Sequence, residues 1–384
     1  MKKLFKNATV LSGEHILPQH SVLVDGDRIV NVAEKINESA DTEVIDLDGD
    51  YLMPGFIDLQ INGGGGSFFT KDLDENSLET IYKSHLKCGT TSYLPTLIST
   101  SMENIQTGIK VTKKAMEEGK YGVLGLHIEG PFFNPIKKGA HFEKFIHSPS
   151  DDEINLFTKD SDTIKLMTLA PEVVKSEQIV KLVQSGIKVS AGHSNASFDE
   201  AIEGFAAGIT KVTHLYNAMS QLNSRNPGLV GAYLNSNDTW GAIIVDGIHV
   251  DLASVRLAYR LKKGRLFLVS DASFIEHPVN EFEFDGFKIH YDNGNYYTDD
   301  DKLAGSSISM HDAFKKCVDE VGISIFETMQ MSSTFPARYL GIENEYGHIK
   351  KGYKADLVIL DRFLDIKKVI KNGKVIEKKE ACLV

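Results

Sequence analysis

The chain has 384 residues, 42 % apolar and 25 % charged, the composition of a soluble globular protein long enough for one α/β barrel and a smaller companion. Its 42 basic and 53 acidic side chains give a formal charge of −11 with no clustered Lys/Arg stripe, which argues against a nucleic-acid binder but permits local capture of a small anion. Cys88, Cys317 and Cys382 are scattered without CxxC spacing, and neither an export signal nor an apolar run of membrane-spanning length is found, so a cytoplasmic protein without a disulfide framework, thiolate metal site or membrane span is expected.

Residues 1–50 carry short β-like runs, "SVLV", "RIVNVA" and "TEVIDL", separated by "DGD" turns. Residues 346–384 return to that style with "ADLVILD" and "KKVIKNGKVI", where Asn372-Gly373 signals a hairpin. Neither piece alone can bury a core, so the two are expected to pair into one small β-sandwich domain built from both termini.

Residues 51–345 alternate between two patterns. Apolar, β-branched runs occur at "GFIDLQIN", "TSYLPTLI", "GVLGLHIE", "IKLMTLAP", "IKVSAGH", "ITKVTHL", "GAIIVDGIH" and "RLFLVSDA". Between most of them lie helical patterns such as "SMENIQTGIKVTKKAMEEG", "SFDEAIEGFAAG" and "DLASVRLAYRLKKG", opened by Ser or Asp and closed by Gly. The alternation predicts a (β/α)₈ barrel. The region between strands seven and eight and residues 274–305 fit less neatly, and the latter, with "EFEFDGFKIHYDNGNYY", read as hairpins inserted after strand eight.

The ends of these strands carry the chemistry. Glu129 closes strand three, His193 strand five, His214 strand six and Asp271 strand eight. In such barrels the strand C-termini form the catalytic face, so four residues distant in sequence converge on one mouth. A single strand-end His is usually a structural hydrogen-bonding group, but four such residues in register are harder to dismiss. Two imidazoles and a carboxylate suit Zn²⁺ or Fe²⁺, and a second carboxylate can move protons. Strand one raises a further question, because Asp58, Gln60 and Asn62 are two apart and share one face of a strand expected to be buried.

The segments "PGFIDLQINGGGG", "HIEGPFFNPIKKGAH", "AGHSNAS", "THLYNAMSQLNSRNPGLVGA", "DGIHVD", "SDA" and "LAGS" occur in this order, and "PARYLGIENEYGHIKKGYKADLVILD" extends the likeness toward the C-terminus. Together they resemble the N-acetylglucosamine-6-phosphate deacetylases of the amidohydrolase superfamily. The resemblance implies hydrolysis of the acetamide of N-acetylglucosamine 6-phosphate by metal-activated water, with Asp271 as general base and then acid. It implies Glu129, His193 and His214 as ligands of one divalent ion per subunit, Zn²⁺ favoured over Fe²⁺, Mn²⁺ or Co²⁺. It also implies substrate contacts from His141, Asn217, Ala218, Arg225, His249 and Leu303, and a homodimer in which Arg225 reaches the neighbouring subunit's site. Many amidohydrolases carry His-x-His at the end of strand one, whereas this chain has Gln60-Ile61-Asn62. Amides offer a metal only a neutral carbonyl oxygen, so a single-metal site with Gln60 and Asn62 as hydrogen-bonding neighbours is expected.

Other residues have blander readings. His127 is expected in core hydrogen bonding, and Phe132 and Phe133 in packing. Gly63–Gly66 lack a following GK[ST], so they suggest close backbone approach rather than a phosphate loop. Two rival functions remain: another amidohydrolase acting on a cyclic amide or a different N-acyl sugar, and a non-catalytic sugar-phosphate sensor on a degenerate barrel.

Overall fold

The structure, a computed structural model, describes residues 2–276, 279–284 and 286–376; Cys382 lies outside these. The described chain divides into two compact units, one of residues 2–58, 85–92 and 310–376, the other of residues 59–84 and 93–309.

In the first unit, a mixed sheet is organised around the long strand Lys2–Leu11. On one side it pairs antiparallel with Ile16–Asp25, which continues to Arg28–Ala33 through a turn at Gly26. On the other side it pairs in parallel with Thr42–Asp46 and Tyr51–Pro54. Tyr51–Pro54 then joins Leu357–Leu360 from the far end of the chain, followed by Ile366–Lys371 and Lys374–Ile376. Asn372 and Gly373 both have positive φ (50° and 71°), as the tight turn between the last two strands requires. Phe5, Val22, Leu52, Leu357 and Ile370 meet in one buried core. Each such side chain contributes roughly 1.5–3 kcal/mol by leaving water, and strands from both termini supply them.

The barrel strands are Phe56–Ile61, Thr90–Ile98, Leu126–Glu129, Ile164–Leu169, Lys188–Ala191, Lys211–Val212, Trp240–Ile243 and Leu266–Leu268. They lie side by side in sequence order, and every pair from Thr90–Ile98 onward is parallel. First and last meet at their C-terminal ends, where Asp271 N donates to Gln60 O at 3.0 Å and Asn62 N to Ala272 O at 2.9 Å. All eight predicted runs contain a strand, and the architecture is the expected nearly closed barrel with a smaller sheet from both termini.

Helices start where the sequence places their caps. Ser101 accepts from Asn104 N ahead of Met102–Glu117, Ser197 forms a capping box with Glu200 ahead of Phe198–Ala206, and Asp251 accepts from Ala253 N ahead of Leu252–Leu261. The helix Gly228–Asn235 has no counterpart among the predicted ones: Gly228 to Tyr233 are all buried, so it lacks the polar face that periodicity detects. Residues 274–305 hold the expected insertion as a three-stranded antiparallel sheet, Glu281–Phe284, Phe287–Asp292 and Asn295–Thr298. Phe282, Ile289 and Tyr296 from this sheet pack with Phe68, Phe274 and Ala304. None of the helices among the described residues is long and apolar enough to cross a membrane.

Candidate active site

His193, His214 and Asp271 follow strands five, six and eight by two or three residues, and all have left-handed backbone, with φ of 49°, 29° and 53°. A residue with a Cβ pays for that conformation, and such strain concentrates where a side chain must be aimed. Glu129 is the last residue of strand three.

The four converge as the strand order requires. Glu129, His193 and His214 are 2 %, 5 % and 3 % exposed. Their facing atoms are close: His193 Nε2 and His214 Nε2 lie 3.3 and 3.0 Å from Glu129 Oε1 and 3.1 Å from each other. A buried carboxylate oxygen meeting two ring nitrogens is a group that could hold a divalent ion. The tautomer of His193 fits that purpose, because its Nδ1 sits 3.0 Å from the carbonyl of Lys137 and donates to it, leaving Nε2 a bare lone pair. Phe133 stacks on the same ring at 4.3 Å and fixes its tilt. Burial alone would raise the Glu129 carboxyl, but the two imidazoles hold it well below the usual carboxylate range. The donor set therefore fits a divalent cation in charge, atom type and proximity.

Asp271 stands beside this group. Gln60 Nε2 bridges the two carboxylates, donating to Asp271 Oδ1 at 2.9 Å and to Glu129 Oε1 at 3.1 Å, and Asn62 Nδ2 donates to Asp271 Oδ1 at 2.8 Å. Gln60 and Asn62 thus face the barrel mouth, which answers the question raised by strand one for these two residues. Burial, followed by the charge of Glu129, pushes the Asp271 carboxyl up to about 6. With Oδ1 occupied by two amides, Oδ2 is the oxygen left to exchange a proton.

A cavity of about 310 Å³ opens above these residues, lined also by His141, Asn217, Ala218, His249 and Leu303. Ser99 N and Oγ lie 3.2 and 2.9 Å from His141 Nδ1, so that nitrogen accepts and Nε2 carries the proton. His249 Nδ1 pairs with Asp246 Oδ2 at 2.5 Å, while Asp246 Oδ1 accepts from the backbone of Ile248 and His249, which locks the imidazole in place. Nothing in the sequence reading marked Asp246; its signal was the i, i+3 spacing to His249 within "DGIH".

Arg225 is not brought to this cavity. It is exposed, in a loop that lines a second cavity together with Lys137, Ser197 and Asn226. His127 bonds Thr168 Oγ1 and Thr96 Oγ1 in the barrel interior, and Phe132 and Phe133 are buried, as expected of packing residues. A Cβ on Gly63 would lie 2.2 Å from Ser273 O, so close backbone approach explains that glycine.

An N-acetylglucosamine-6-phosphate deacetylase of Haemophilus influenzae is 35 % identical over 97 % of this chain and 99 % of its own length. An N-acetylgalactosamine-6-phosphate deacetylase of a Shewanella species is 36 % identical over 81 % of this chain and 79 % of its own. The crystal structure of an N-acetylglucosamine-6-phosphate deacetylase from Pasteurella multocida matches with a TM-score of 0.95 at 35 % identity, covering 98 % of this chain and 100 % of that one. Residues 4–52 match the NagA composite domain and residues 51–376 the amidohydrolase family. The second span takes in every barrel strand and all four residues at the mouth, and it makes the chain a member of the amidohydrolase family.

Proposed function

We propose that this chain hydrolyses the acetamide of N-acetylglucosamine 6-phosphate to glucosamine 6-phosphate and acetate. The observation that carries the reading is one cavity lined at once by Glu129, His193 and His214, by a raised-pKa Asp271, and by Asn217, Ala218 and an anchored His249. The first group suits a divalent ion and the last an anion; a linear amide with a remote phosphate uses both.

Glu129, His193 and His214 would hold a divalent ion, which when bound would supply Lewis acidity to the reaction. Asp271 takes the proton of the attacking water on Oδ2 and returns it to the departing amine. Gln60 and Asn62 keep that carboxylate aimed. His141 offers Nε2–H to the substrate. Asn217, the Ala218 backbone and His249 bind the phosphate, and Leu303 shapes the pocket wall. This orientation by the remote group lowers the barrier as well as KM.

The donor set supports Zn²⁺ as the ion, and amides at both strand-one positions support one ion per subunit. Arg225, exposed and outside its own chain's cavity, is assigned to a partner's phosphate in a homodimer. A phosphorylated sugar substrate supports a cytoplasmic setting. The Shewanella relative favours a second reading, in which N-acetylgalactosamine 6-phosphate, the C4 epimer, is also accepted.

Acetate release by the purified, metal-loaded chain, measured with both 6-phosphate epimers and with unphosphorylated N-acetylglucosamine, tests these readings. The expected result is turnover of N-acetylglucosamine 6-phosphate with kcat/KM at least about a hundredfold above that for the unphosphorylated sugar, since lost charge-assisted contacts cost about 3 kcal/mol together. Comparable values for the two would overturn the phosphate assignment, and binding without turnover would leave a sensor.

A further inference from the structure

Glu172 follows strand four by three residues, is half-buried, does not line the cavity and has no part in the mechanism above. Three donors nevertheless converge on its carboxylate. Oε1 accepts from Asn195 N at 2.6 Å and from Asn134 Nδ2 at 3.0 Å, and Oε2 accepts from Ser194 Oγ at 2.7 Å. Asn134 belongs to the loop after strand three, and Ser194 and Asn195 to the loop after strand five. The loop after strand four, which lies between them in strand order, thus holds both neighbours through one side chain.

All three ties bear on His193. Ser194 and Asn195 follow it directly, and Asn134 N donates to the His193 carbonyl at 3.0 Å. Asn134 Oδ1 also accepts from Ile136 N at 3.0 Å, which caps the short turn Pro135–Lys137. That turn presents the Lys137 carbonyl to His193 Nδ1. One Asn amide is therefore held by Glu172 through its nitrogen, while its oxygen shapes the turn that sets the His193 tautomer. The left-handed backbone of His193, with φ of 49°, needs such support, since a strained residue persists only where its surroundings over-determine it. Hydrogen bonds to a carboxylate are roughly twice as strong as neutral ones, so Glu172 suits this task better than a neutral acceptor.

We propose that Glu172 is a positioning residue for the candidate metal site: by accepting from Asn134, Ser194 and Asn195, it fixes the His193 backbone and the Lys137 carbonyl so that Nε2 faces Glu129 and His214. The proposal rests on the reading of Glu129, His193 and His214 as a divalent-ion site. It differs from a staple that only stabilises the loops, because a misaimed ligand weakens the hold on an ion even in molecules that stay folded.

The test uses the full chain with Glu172→Ala, which removes all three acceptor contacts, and Glu172→Gln, which keeps a carbonyl oxygen for Asn134 and Asn195. Zn²⁺ affinity is measured by competition with a chelator at pH 7, and the melting temperature on metal-free protein. Glu172→Ala is expected to bind Zn²⁺ at least about tenfold more weakly than wild type, and Glu172→Gln to lose less than about threefold. A lowered melting temperature with Zn²⁺ affinity within about twofold of wild type would overturn the proposal, since that marks a staple. So would equal losses in the two variants, which mark a charge acting on the ion rather than hydrogen bonds acting on His193. If Glu172→Ala does not fold, Ser194→Ala removes the contact with Oε2 and leaves the charge; a loss of about threefold or more is then expected, and a smaller one overturns the proposal. Wild-type protein that binds no Zn²⁺ fails the underlying reading instead, a result distinct from these.

Discussion

At one end of the cavity Glu129, His193 and His214 are at most 5 % exposed and meet within 3.3 Å, all on or just past barrel strands. At the other end His249 relies on Asp246 within a loop, Asn217 and Ala218 sit in the turn after strand six, and Arg225 is exposed and faces a different cavity. The first end is complete within one chain and is positioned by the sheet. The second is assembled from loops and, on the reading above, from a second subunit. Changes at the first should abolish chemistry, and changes at the second should weaken capture and orientation.

The largest effect is expected from Asp271→Asn, which keeps the contacts of Oδ1 with Gln60 and Asn62 but removes the proton acceptor. A fall in kcat of about 10³-fold or more, with Zn²⁺ content unchanged, is the expected outcome; wild-type kcat removes Asp271 from its role. Next comes His214→Ala, which takes one of the three facing donors from the cluster: elemental analysis should find most of the bound metal lost, together with about 10²-fold or more of the activity at limiting metal.

Effects at the loop end should be smaller and of another kind. Arg225→Ala and His249→Ala are each expected to lower kcat/KM about 10- to 100-fold, mostly through KM. Mixing Arg225→Ala with Asp271→Asn sharpens the contrast: if Arg225 serves a partner's site, heterodimers regain part of the activity, because one of their two sites then holds both intact residues. No recovery on mixing contradicts the shared site.

A pH measurement separates the ends further. In the metal-free chain Asp271 is raised from 3.8 to about 6 by burial and then by Glu129. The folded state therefore holds this proton more tightly than the unfolded state, and the stability it contributes is lost as pH rises from about 4 to about 6. The melting temperature of metal-free wild type should fall over that window relative to Asp271→Asn, by an amount corresponding to roughly 2–3 kcal/mol. Parallel curves contradict the shift. A bound dication opposes it, so the acid limb of kcat in the loaded enzyme should lie below pH 6, and a limb above pH 7 contradicts Asp271 as the base.

How far the sequence foretold this follows from the same contrast. The barrel strands were legible because buried parallel strands are apolar and β-branched, and Glu129, His193, His214 and Asp271 because four such polar residues fall in register at the ends of strands that must converge on one mouth. Gln60 and Asn62 were legible as polar residues on one face of a strand, although the bridge from Gln60 to both carboxylates needed coordinates. The helix Gly228–Asn235 escaped because it is buried all round. Asp246 escaped because an i, i+3 spacing of Asp to His is too common to mark a site by itself, and the Lys137 carbonyl because a backbone group 56 positions from His193 carries no side-chain signal. Arg225 and His249 were legible only through family resemblance, as loop residues have no periodicity to mark them.

The central claim is that Glu129, His193 and His214 form one divalent-ion site that the reaction requires. It is tested most directly by adding Zn²⁺ stepwise to metal-free protein while recording bound metal and acetate release from N-acetylglucosamine 6-phosphate. Activity should rise in proportion to occupancy and stop at one ion per chain. Full turnover without metal, or activity that appears only as a second ion binds, would contradict the account.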